Sequence, residues 1–316
     1  MIDHLKVLFH YAAGQSLRSD VEQLSKQGLD VVCCPEGADT PFEEEIQDAQ
    51  VLWHVLQPVT ADVIRRAPKL KLIQKLGVGV NTIDLEAAKA RDIAVCNMPG
   101  TNSQAVAEMT LYLMLGALRQ GTRLDRACRN GTWYLDAATK DTLGEISGRT
   151  VGFVGFGAIP KILAPILQTM GARVIYFAQQ SKTVPYEFAS LESLLEQSDI
   201  VTLHVPATPE TNGLISRPRL AKMKPGAILI NTARGELVDE EALHEALKSG
   251  HLNAAGLDVF AQEPVSPQNP LLALDNVVVT PHVAWLTNET LSRCVDVAVR
   301  NSLAIMHGKD LEHRVV

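Results

Sequence analysis

Three ionisable side chains follow three predicted strands in the second half of the sequence: Arg234, Glu263 and His282. A guanidinium holds a carboxylate through its planar fork, and an imidazole exchanges protons near neutral pH. A carboxylate beside that imidazole can orient the ring and favour its charged form. Together, these three side chains could transfer a proton to or from a bound molecule that carries a carboxylate. The stretches that carry them are NTARGELVDEEAL (231–243), LDVFAQEP (257–264) and VVVTPHVAWLT (277–287).

Each of these residues also has a purely structural explanation. An arginine after a strand is often a solvated charge, a glutamate in a proline-containing loop is often exposed, and a histidine can cap a strand. However, open α/β sheets build their sites beyond the carboxyl ends of their strands. The occurrence of all three at the ends of successive strands, beside a glycine-rich loop, favours a functional site.

The elements that must position these residues follow a regular alternation. Short β-rich runs and helix-like runs alternate from KVLF (6–9) to IAVCN (93–97), and again from TVGFVG (150–155) onwards. This pattern is typical of parallel strands with crossover helices. A nearly continuous helix is predicted over 102–129, and a last helix over 287–308 is expected to return to the first unit. The sequence therefore predicts an α/β fold with two doubly wound parallel sheets.

A glycine-rich turn opens the second unit. Gly155 and Gly157 lie between a predicted buried strand and a helix, which is the context of a dinucleotide fingerprint. Gly155 allows a tight turn, Gly157 lets the backbone approach a pyrophosphate, and the N–H groups of Ala158 and Ile159 can donate to it. Pro160 replaces the third glycine of the pattern, but the first helical turn tolerates proline. Two glycines after a strand also occur as a purely structural turn.

The next strand ends without the acid that NAD sites usually place on the ribose. It ends FAQQSK (177–182), with Ala178 at that position and Gln179 after it, and the next carboxylate is Glu187. Polar side chains at 179–182 can hydrogen-bond a 2′-phosphate. The sequence leaves both NAD and NADP open.

Composition excludes several classes of protein. The 316 residues carry a net charge of −7 without a basic run, which disfavours nucleic acid and anionic membranes as partners. The N-terminus is not typical of a signal peptide, and no apolar stretch is long enough to span a bilayer. Five scattered cysteines do not suggest a disulfide framework or a metal site. We expect a cytoplasmic protein.

From about residue 50 onwards, the sequence resembles the D-isomer-specific 2-hydroxyacid dehydrogenases. The resemblance implies a flavodoxin-like substrate domain, 1–101 plus 284–316, and an inserted NAD(P)-binding Rossmann domain, 102–283. It also implies a homodimer through the cofactor domain. The motifs that carry it are KLGVGVNTIDLEAA, NMPGTNSQAVAE, VGFVGFGAI, HVPATPETNGLI, NTARGELVDEEAL, LDVFAQEP and TPHVAW.

The resemblance implies catalysis by Arg234, Glu263 and His282. His282 would give a proton to the keto oxygen of a 2-keto acid, and Arg234 would bind the substrate carboxylate. Four residues are implied at the substrate: Val78 and Gly79 through their N–H groups, Asn102, and Trp285. Besides the glycine-rich turn, cofactor contacts are implied for His204, Val205, Pro206, Thr211, Thr232, Ala233 and Asp258, the last of which would hold the nicotinamide amide.

The family also contains proteins with other substrates or with other functions. Formate dehydrogenases carry Gln where this chain has Glu263, which disfavours formate. Corepressors that bind NAD(H) keep the same three residues but signal through protein contacts, so a binding module stays an alternative. Phosphoglycerate dehydrogenases often have Arg where this chain has His54, and Lys75 precedes the VGV loop. Trp285 resembles glycerate or hydroxypyruvate reductases more, and we favour a small unphosphorylated 2-keto acid of the glyoxylate or hydroxypyruvate type.

Overall fold

The structure is a computed structural model that describes residues 4–37 and 41–316. Within these residues the chain forms twelve strands and twelve α-helices, joined by short loops and three 3₁₀ turns. The strands are β1 (Leu5–His10), β2 (Leu29–Cys34), β3 (Val51–His54), β4 (Leu72–Lys75), β5 (Ala94–Cys96), β6 (Thr150–Val154), β7 (Arg173–Phe177), β8 (Glu187–Phe188), β9 (Ile200–Leu203), β10 (Ala227–Asn231), β11 (Leu252–Leu257) and β12 (Val277–Val279). The helices are α1 (Gln15–Glu22), α2 (Phe42–Glu45), α3 (Ala61–Arg65), α4 (Leu85–Lys89), α5 (Ser103–Arg119), α6 (Gly121–Arg129), α7 (Ala137–Thr142), α8 (Ala158–Thr169), α9 (Leu191–Gln197), α10 (Arg217–Lys222), α11 (Glu240–Lys248) and α12 (Asn288–Met306).

The chain divides into two compact units. Unit 1 consists of Met1–Asn102 and Thr287–Val316, and unit 2 is the continuous segment Ser103–Leu286. The predicted boundaries, after residues 101 and 283, lie one and three residues before these.

Unit 1 contains a five-stranded parallel sheet in the order β2-β1-β3-β4-β5. This is the strand order of flavodoxin-like sheets, as predicted for the first domain. Apolar side chains on one face, among them Leu8, Leu52 and Ile73, pack with Ile46 and Ile64 from the covering segments into one buried cluster. Strands buried in this way read as near-continuous apolar runs, which is why the sequence pattern identified them.

The C-terminal helix α12 completes unit 1 through two buried polar contacts. Trp53 Nε1 donates to Ser302 Oγ at 3.0 Å, and Asn301 Nδ2 donates to Gln74 Oε1 at 2.6 Å. Because an unpaired polar group in the interior is costly, these pairs fix the position of the helix on the sheet. The end of the chain also reaches β5, where Val315 N–H donates to the carbonyl of Val95 at 2.7 Å.

Unit 2 contains a seven-stranded parallel sheet in the order β12-β11-β10-β9-β6-β7-β8. Counted from β6, this is the Rossmann order 3-2-1-4-5-6 with one further strand at the edge, which confirms the predicted fold class. The strand order reverses between β6 and β9. Ligands of open α/β sheets bind at such a switch point, so a ligand site is expected between the ends of β6 and β9.

Helices cover both faces of the unit 2 sheet. One buried cluster joins α5 and α8 to the sheet through residues such as Leu113, Leu163 and Phe153. The other cluster joins α9, α10 and α11 to the opposite face through residues such as Leu194 and Leu243. The helices that the structure describes include none that is long and apolar enough to cross a membrane.

Two predicted helices differ in detail, and one short strand was not predicted. The helix predicted over 102–129 is broken at Gln120, whose φ of 47° separates α5 from α6. The sequence SDVEQLSKQG (19–28) also has an amphipathic helical pattern, but the helix there starts earlier, at Gln15, and changes into a 3₁₀ turn over Gln23–Gln27 that Gly28 caps. The two-residue edge strand β8 was not predicted, because a segment this short has no recognisable periodicity.

Candidate active site

The three ionisable residues lie at the carboxyl edge of adjacent strands of unit 2. Arg234 follows β10, Glu263 follows β11, and His282 follows β12. Because these strands are neighbours and parallel, their carboxyl ends meet at one edge of the sheet. The sheet therefore brings together three residues of which the first and the last lie 48 positions apart along the chain.

The turn that carries Arg234 is held by the side chain of Asn231. Its Oδ1 accepts a hydrogen bond from the N–H of Ala233 at 3.0 Å, and its Nδ2 donates to the carbonyl of Arg234 at 2.8 Å. Arg234 itself is half-buried. Burial lowers the pKa of its guanidinium, while Glu236 and Glu263 oppose that shift. A partly desolvated guanidinium binds a carboxylate more strongly than one in water.

Gly235 lets this turn approach the loop after β11. A Cβ placed on Gly235 would lie 1.9 Å from the carbonyl carbon of Phe260 and 2.3 Å from the nitrogen of Ala261. Real side chains do not approach backbone atoms so closely, so only glycine fits here. The N–H of Phe260 in turn donates to Oε1 of Glu263 at 3.0 Å. Gly235 therefore brings the Arg234 turn against the loop that holds Glu263.

Glu263 and His282 form a direct pair. Nδ1 of His282 lies 2.6 Å from Oε2 of Glu263. An ionised carboxylate only accepts, so Nδ1 carries the proton and Nε2 is left for chemistry. Burial opposes ionisation of Glu263, but the bonds from His282 and Phe260 and the charge of Arg234 outweigh it and hold its pKa below the usual value. Glu263 is therefore a carboxylate that orients the imidazole through Nδ1.

Asp258 holds the loop in which His282 lies. Its Oδ1 accepts from Thr280 Oγ1 at 2.5 Å and from the N–H of Val283 at 2.9 Å, and its Oδ2 accepts from the N–H of Ala284 at 2.9 Å. Its carbonyl accepts from the N–H of His282 at 2.8 Å. His282 has a φ of 55°, a left-handed conformation that costs a residue other than glycine about 1–2 kcal/mol. Asp258 offsets that cost by fixing both sides of the turn.

The glycine-rich turn fits a dinucleotide. Gly155 has a φ of 95°, and a Cβ there would lie 2.4 Å from the carbonyl oxygen of His204. A Cβ on Gly157 would meet nothing within 4 Å, so the protein's own packing does not require glycine at that position. Gly157 caps α8, and the N–H groups of Ala158 and Ile159 have no intrahelical partner, as at every helix start. An open cradle of this kind accepts a pyrophosphate.

A cavity of about 360 Å³ lies beside this turn, at the switch point of the sheet. It runs between the ends of β6, β7 and β9. Seven of the predicted cofactor residues line it, together with Phe156 and the polar residues 180–182, which the sequence suggested could hydrogen-bond a 2′-phosphate. The lining residues are Gly155, Phe156, Gly157, Ala178, Gln179, Gln180, Ser181, Lys182, His204, Val205 and Pro206.

The other predicted cofactor residues lie outside this cavity, and several stabilise loops. Thr211 Oγ1 donates to the carbonyl of Pro206 at 2.7 Å, which fixes the loop after β9. Thr232 is buried, with its Oγ1 3.0 Å from that of Thr110 on α5, and Ala233 is held by Asn231. Their predicted contacts with a cofactor, like that of Asp258, stay predictions.

The predicted substrate residues divide between the units. Val78 and Gly79 lie in the unit 1 loop after β4, where Asn97 Nδ2 donates to the carbonyl of Val78 at 2.9 Å. Asn102 is the last residue of unit 1 before α5. Trp285 belongs to unit 2 and is buried directly after the loop that Asp258 holds.

Within the motif NTARGELVDEEAL, sequence reasoning did not single out Asn231, Gly235 or Glu240, which support the site. Gly235 directly follows Arg234, and that adjacency was the available signal. Glu240, at the start of α11, accepts from the N–H of Ala261 at 2.6 Å and from Nδ2 of Asn269 at 3.0 Å. It holds the loop that carries Glu263, and nothing in the sequence distinguishes it from an ordinary glutamate in a first helical turn.

His204 provides a prediction for the pH dependence of stability. Burial lowers the pKa of its imidazole to about 3, and Nε2 lies 2.9 Å from Oγ1 of Thr202. The unfolded chain binds this proton below pH 6.5, whereas the folded chain binds it only near pH 3. This contribution to stability is therefore fully present above pH 6.5 and is lost as the pH falls towards 3. Between pH 5.5 and 4.5 we expect His204→Gln to reduce the slope of unfolding free energy by about 1.4 kcal/mol per pH unit.

Urea unfolding of wild type and His204→Gln at several pH values measures this difference. Other groups titrate in both proteins, so their contributions cancel in the comparison. Parallel slopes would show that His204 does not stay neutral in the folded state.

The strand order and the open glycine turn at the switch point place the chain among the dinucleotide-binding α/β proteins. Residues 111–284 match the family described as D-isomer specific 2-hydroxyacid dehydrogenase, NAD binding domain. The chain belongs to the D-isomer-specific 2-hydroxyacid dehydrogenases, which are NAD(P)-dependent oxidoreductases. The predicted family, class of enzyme and cofactor are thereby confirmed.

Individual relatives agree with this assignment. The chain is 40% identical to glyoxylate reductase of Korarchaeum cryptofilum, over 84% of this chain and 82% of that protein. It is 43% identical to D-3-phosphoglycerate dehydrogenase of Mycobacterium tuberculosis over 78% of this chain, but the match spans only 47% of that relative. A crystal structure of a protein from Thermus thermophilus is similar with a TM-score of 0.89 and 41% identity, over 99% of this chain and 100% of that one.

Proposed function

We propose that the protein reduces a small unphosphorylated 2-keto acid, of the glyoxylate or hydroxypyruvate type, to the corresponding 2-hydroxy acid, in the D configuration where the product is chiral. The observation that carries this proposal is the 2.6 Å pair of Glu263 and His282, with Arg234 beside it at the edge of a nucleotide-binding sheet. Its geometry suits delivery of one proton to a carbonyl oxygen next to a carboxylate.

Three residues of unit 2 have separate roles in this reaction. Bound NAD(P)H supplies a hydride to the keto carbon. His282 gives a proton from Nε2 to the keto oxygen, and Glu263 stabilises the imidazolium before that transfer. Arg234 binds the substrate carboxylate through its fork and draws electron density from the neighbouring carbonyl. In the reverse direction the neutral imidazole accepts the hydroxyl proton.

Other predicted residues are proposed to contact the substrate. The N–H groups of Val78 and Gly79 would bind the same substrate carboxylate, as the resemblance implies. Asn102 and Trp285 are proposed at the substrate on the same ground.

Phosphoglycerate is the second candidate substrate, because curated relatives of that name are 43% identical. However, His54 is fully buried at the end of β3, and burial together with the charges of Lys75 and His10 lowers its pKa well below the ordinary value. A neutral buried imidazole is a weak partner for phosphate. The relatives named glyoxylate reductase also match over most of their own length, which favours the unphosphorylated acid.

The proposal is tested by measuring the turnover of purified protein with a set of keto acids, each combined with NADH and with NADPH. We expect turnover with glyoxylate or hydroxypyruvate and little with the phosphorylated 3-carbon keto acid. Saturable coenzyme binding without turnover of any small keto acid would instead favour the NAD(H)-sensing binding module.

Arg234→Lys keeps the positive charge but removes the fork. We expect kcat/KM for the keto acid to fall roughly tenfold to hundredfold, because a charge-assisted bidentate contact is lost. Steady-state kinetics measures this. Arg217→Lys is the matched control, since Arg217 is exposed and pairs with Glu245 at the surface of unit 2. An unchanged kcat/KM in Arg234→Lys would count against carboxylate binding by Arg234.

We also propose a cytoplasmic homodimer that associates through unit 2. The support for it is surface chemistry. Trp133 and Tyr134 are 76% and 89% exposed, and exposed aromatic side chains often mark an interface. All five cysteines are free thiols, which suits a reducing compartment.

A further inference from the structure

The end of β7 forms one side of the cavity at the switch point. Ala178 lies at the position where NAD sites place an acid that accepts from the ribose 2′-hydroxyl. Its methyl side chain cannot accept a hydrogen bond, and it does not repel an anion. None of the eleven lining residues is acidic. The nearest carboxylate along the chain, Glu187, is paired with Arg173 at 2.6 Å, so its charge is offset.

The next four residues of the lining are donors. Gln179 and Gln180 carry amide N–H₂ groups, Ser181 carries a hydroxyl, and Lys182 carries the single positive charge of the cavity. Lys182 is exposed and takes part in no ion pair among residues 4–37 and 41–316. A lysine with an uncommitted ammonium group, flanked by neutral donors, is suited to bind phosphate as a point charge.

The loop is already ordered by a buried tyrosine. The hydroxyl of Tyr176 accepts from the N–H of Lys182 at 2.8 Å and donates to the carbonyl of Lys182 at 3.1 Å. Its oxygen is also 3.5 Å from Oγ of Ser181. The Tyr176 ring is fully buried and lies 4.7 Å from that of Phe156 beneath the glycine turn. A loop fixed before the ligand arrives loses less entropy on binding, which favours affinity.

We propose that this loop is a 2′-phosphate site and that the protein takes NADPH in preference to NADH. Lys182 supplies the charge, Ser181 and Gln179 supply hydrogen bonds, and Ala178 leaves the phosphate unopposed. This inference rests on the proposed function, because it assumes that the cavity holds the coenzyme.

Calorimetric titration without keto acid tests the inference apart from turnover. The ligands are NADPH, NADH, 2′,5′-ADP and 5′-AMP, of which the last two differ only in the 2′-phosphate. We expect the Kd of NADPH to be at least roughly tenfold lower than that of NADH, and 2′,5′-ADP to bind more tightly than 5′-AMP by a similar factor. Raising the salt concentration should weaken the phosphate-bearing member of each pair more than its partner.

Two variants and one control test which residues set the coenzyme preference. Lys182→Ala should weaken NADPH roughly tenfold and change NADH less than about twofold. Ala178→Asp should reverse the preference, because the acid accepts from a ribose hydroxyl and repels phosphate. Lys248→Ala removes a charge from an exposed lysine at the end of α11 and should change neither Kd.

The outcomes separate the two proposals. Equal or tighter binding of NADH, or a loss in Lys182→Ala that is the same for both coenzymes, would overturn the phosphate site and leave the proposed function intact. Failure to bind either coenzyme would overturn the proposed function itself. Because Lys182 is exposed and its backbone makes the contacts with Tyr176, the substitution should not affect folding, and circular dichroism checks this.

Discussion

Replacing His282 with alanine is expected to lower kcat for keto-acid reduction by on the order of 10²–10⁴, the usual contribution of a positioned general acid. The structure gives the reason. Glu263 holds Nδ1 at 2.6 Å, so Nε2 is the one ring nitrogen free to deliver a proton. Arg234 cannot replace it, because a guanidinium keeps its proton at every accessible pH.

Absorbance of the reduced coenzyme at saturating keto acid measures this kcat. The Kd of the coenzyme should stay close to that of wild type, since His282 does not line the cavity at the glycine turn. His282→Asn is a useful second variant because asparagine tolerates the φ of 55° at this position. His244→Ala, which changes a histidine on α11, is the control. Near-normal turnover in both His282 variants would refute the assignment of the general acid.

Gly235→Ala is expected to lower the free energy of unfolding by about 3 kcal/mol, the upper part of the range for overpacking. The added methyl group would lie 1.9 Å from the backbone of Phe260, which cannot move aside as a flexible side chain can. If the chain relaxes, the turn of Arg234 must separate from the loop of Glu263. We therefore expect kcat/KM to fall together with stability.

Chemical denaturation and steady-state kinetics of the same preparation measure both effects. Gly121→Ala is the matched control, because Gly121 is the first residue of α6 and a Cβ there meets no atom closer than 3.9 Å. Wild-type stability and activity in Gly235→Ala would mean that the two loops do not approach as closely as described.

Most of the fold follows from sequence periodicity. Buried parallel strands are continuous apolar runs, so the major strands of both sheets were recognisable before the structure. The break at Gln120 was not, because the sequence gives no sign of the contacts that accompany it: Nε2 of Gln120 donates to Oγ1 of Thr142 at 2.5 Å, and Oε1 accepts from Arg123 at 3.0 Å. The run around Gln120 is otherwise compatible with a continuous helix.

The site was predictable in its residue types and less so in its supports. Arg234, Glu263 and His282 could be selected because strand ends in open sheets host function. Their relative geometry depends on contacts between loops, such as Gly235 against Phe260 and Asp258 with the N–H groups of Val283 and Ala284. Contacts between loops far apart in sequence leave no periodic signal, so only a structure shows them.

The return of α12 to the first sheet has a consequence for the order of folding during synthesis. Unit 2 is continuous and can form as soon as Leu286 has left the ribosome. The sheet of unit 1 must wait for Asn301 and Ser302, whose partners Gln74 and Trp53 were made more than 200 residues earlier. Domains usually fold from the N-terminus first. Here we expect the nascent chain to complete its middle segment first and the first segment last, because strands β1 to β5 lack their covering helix for most of translation.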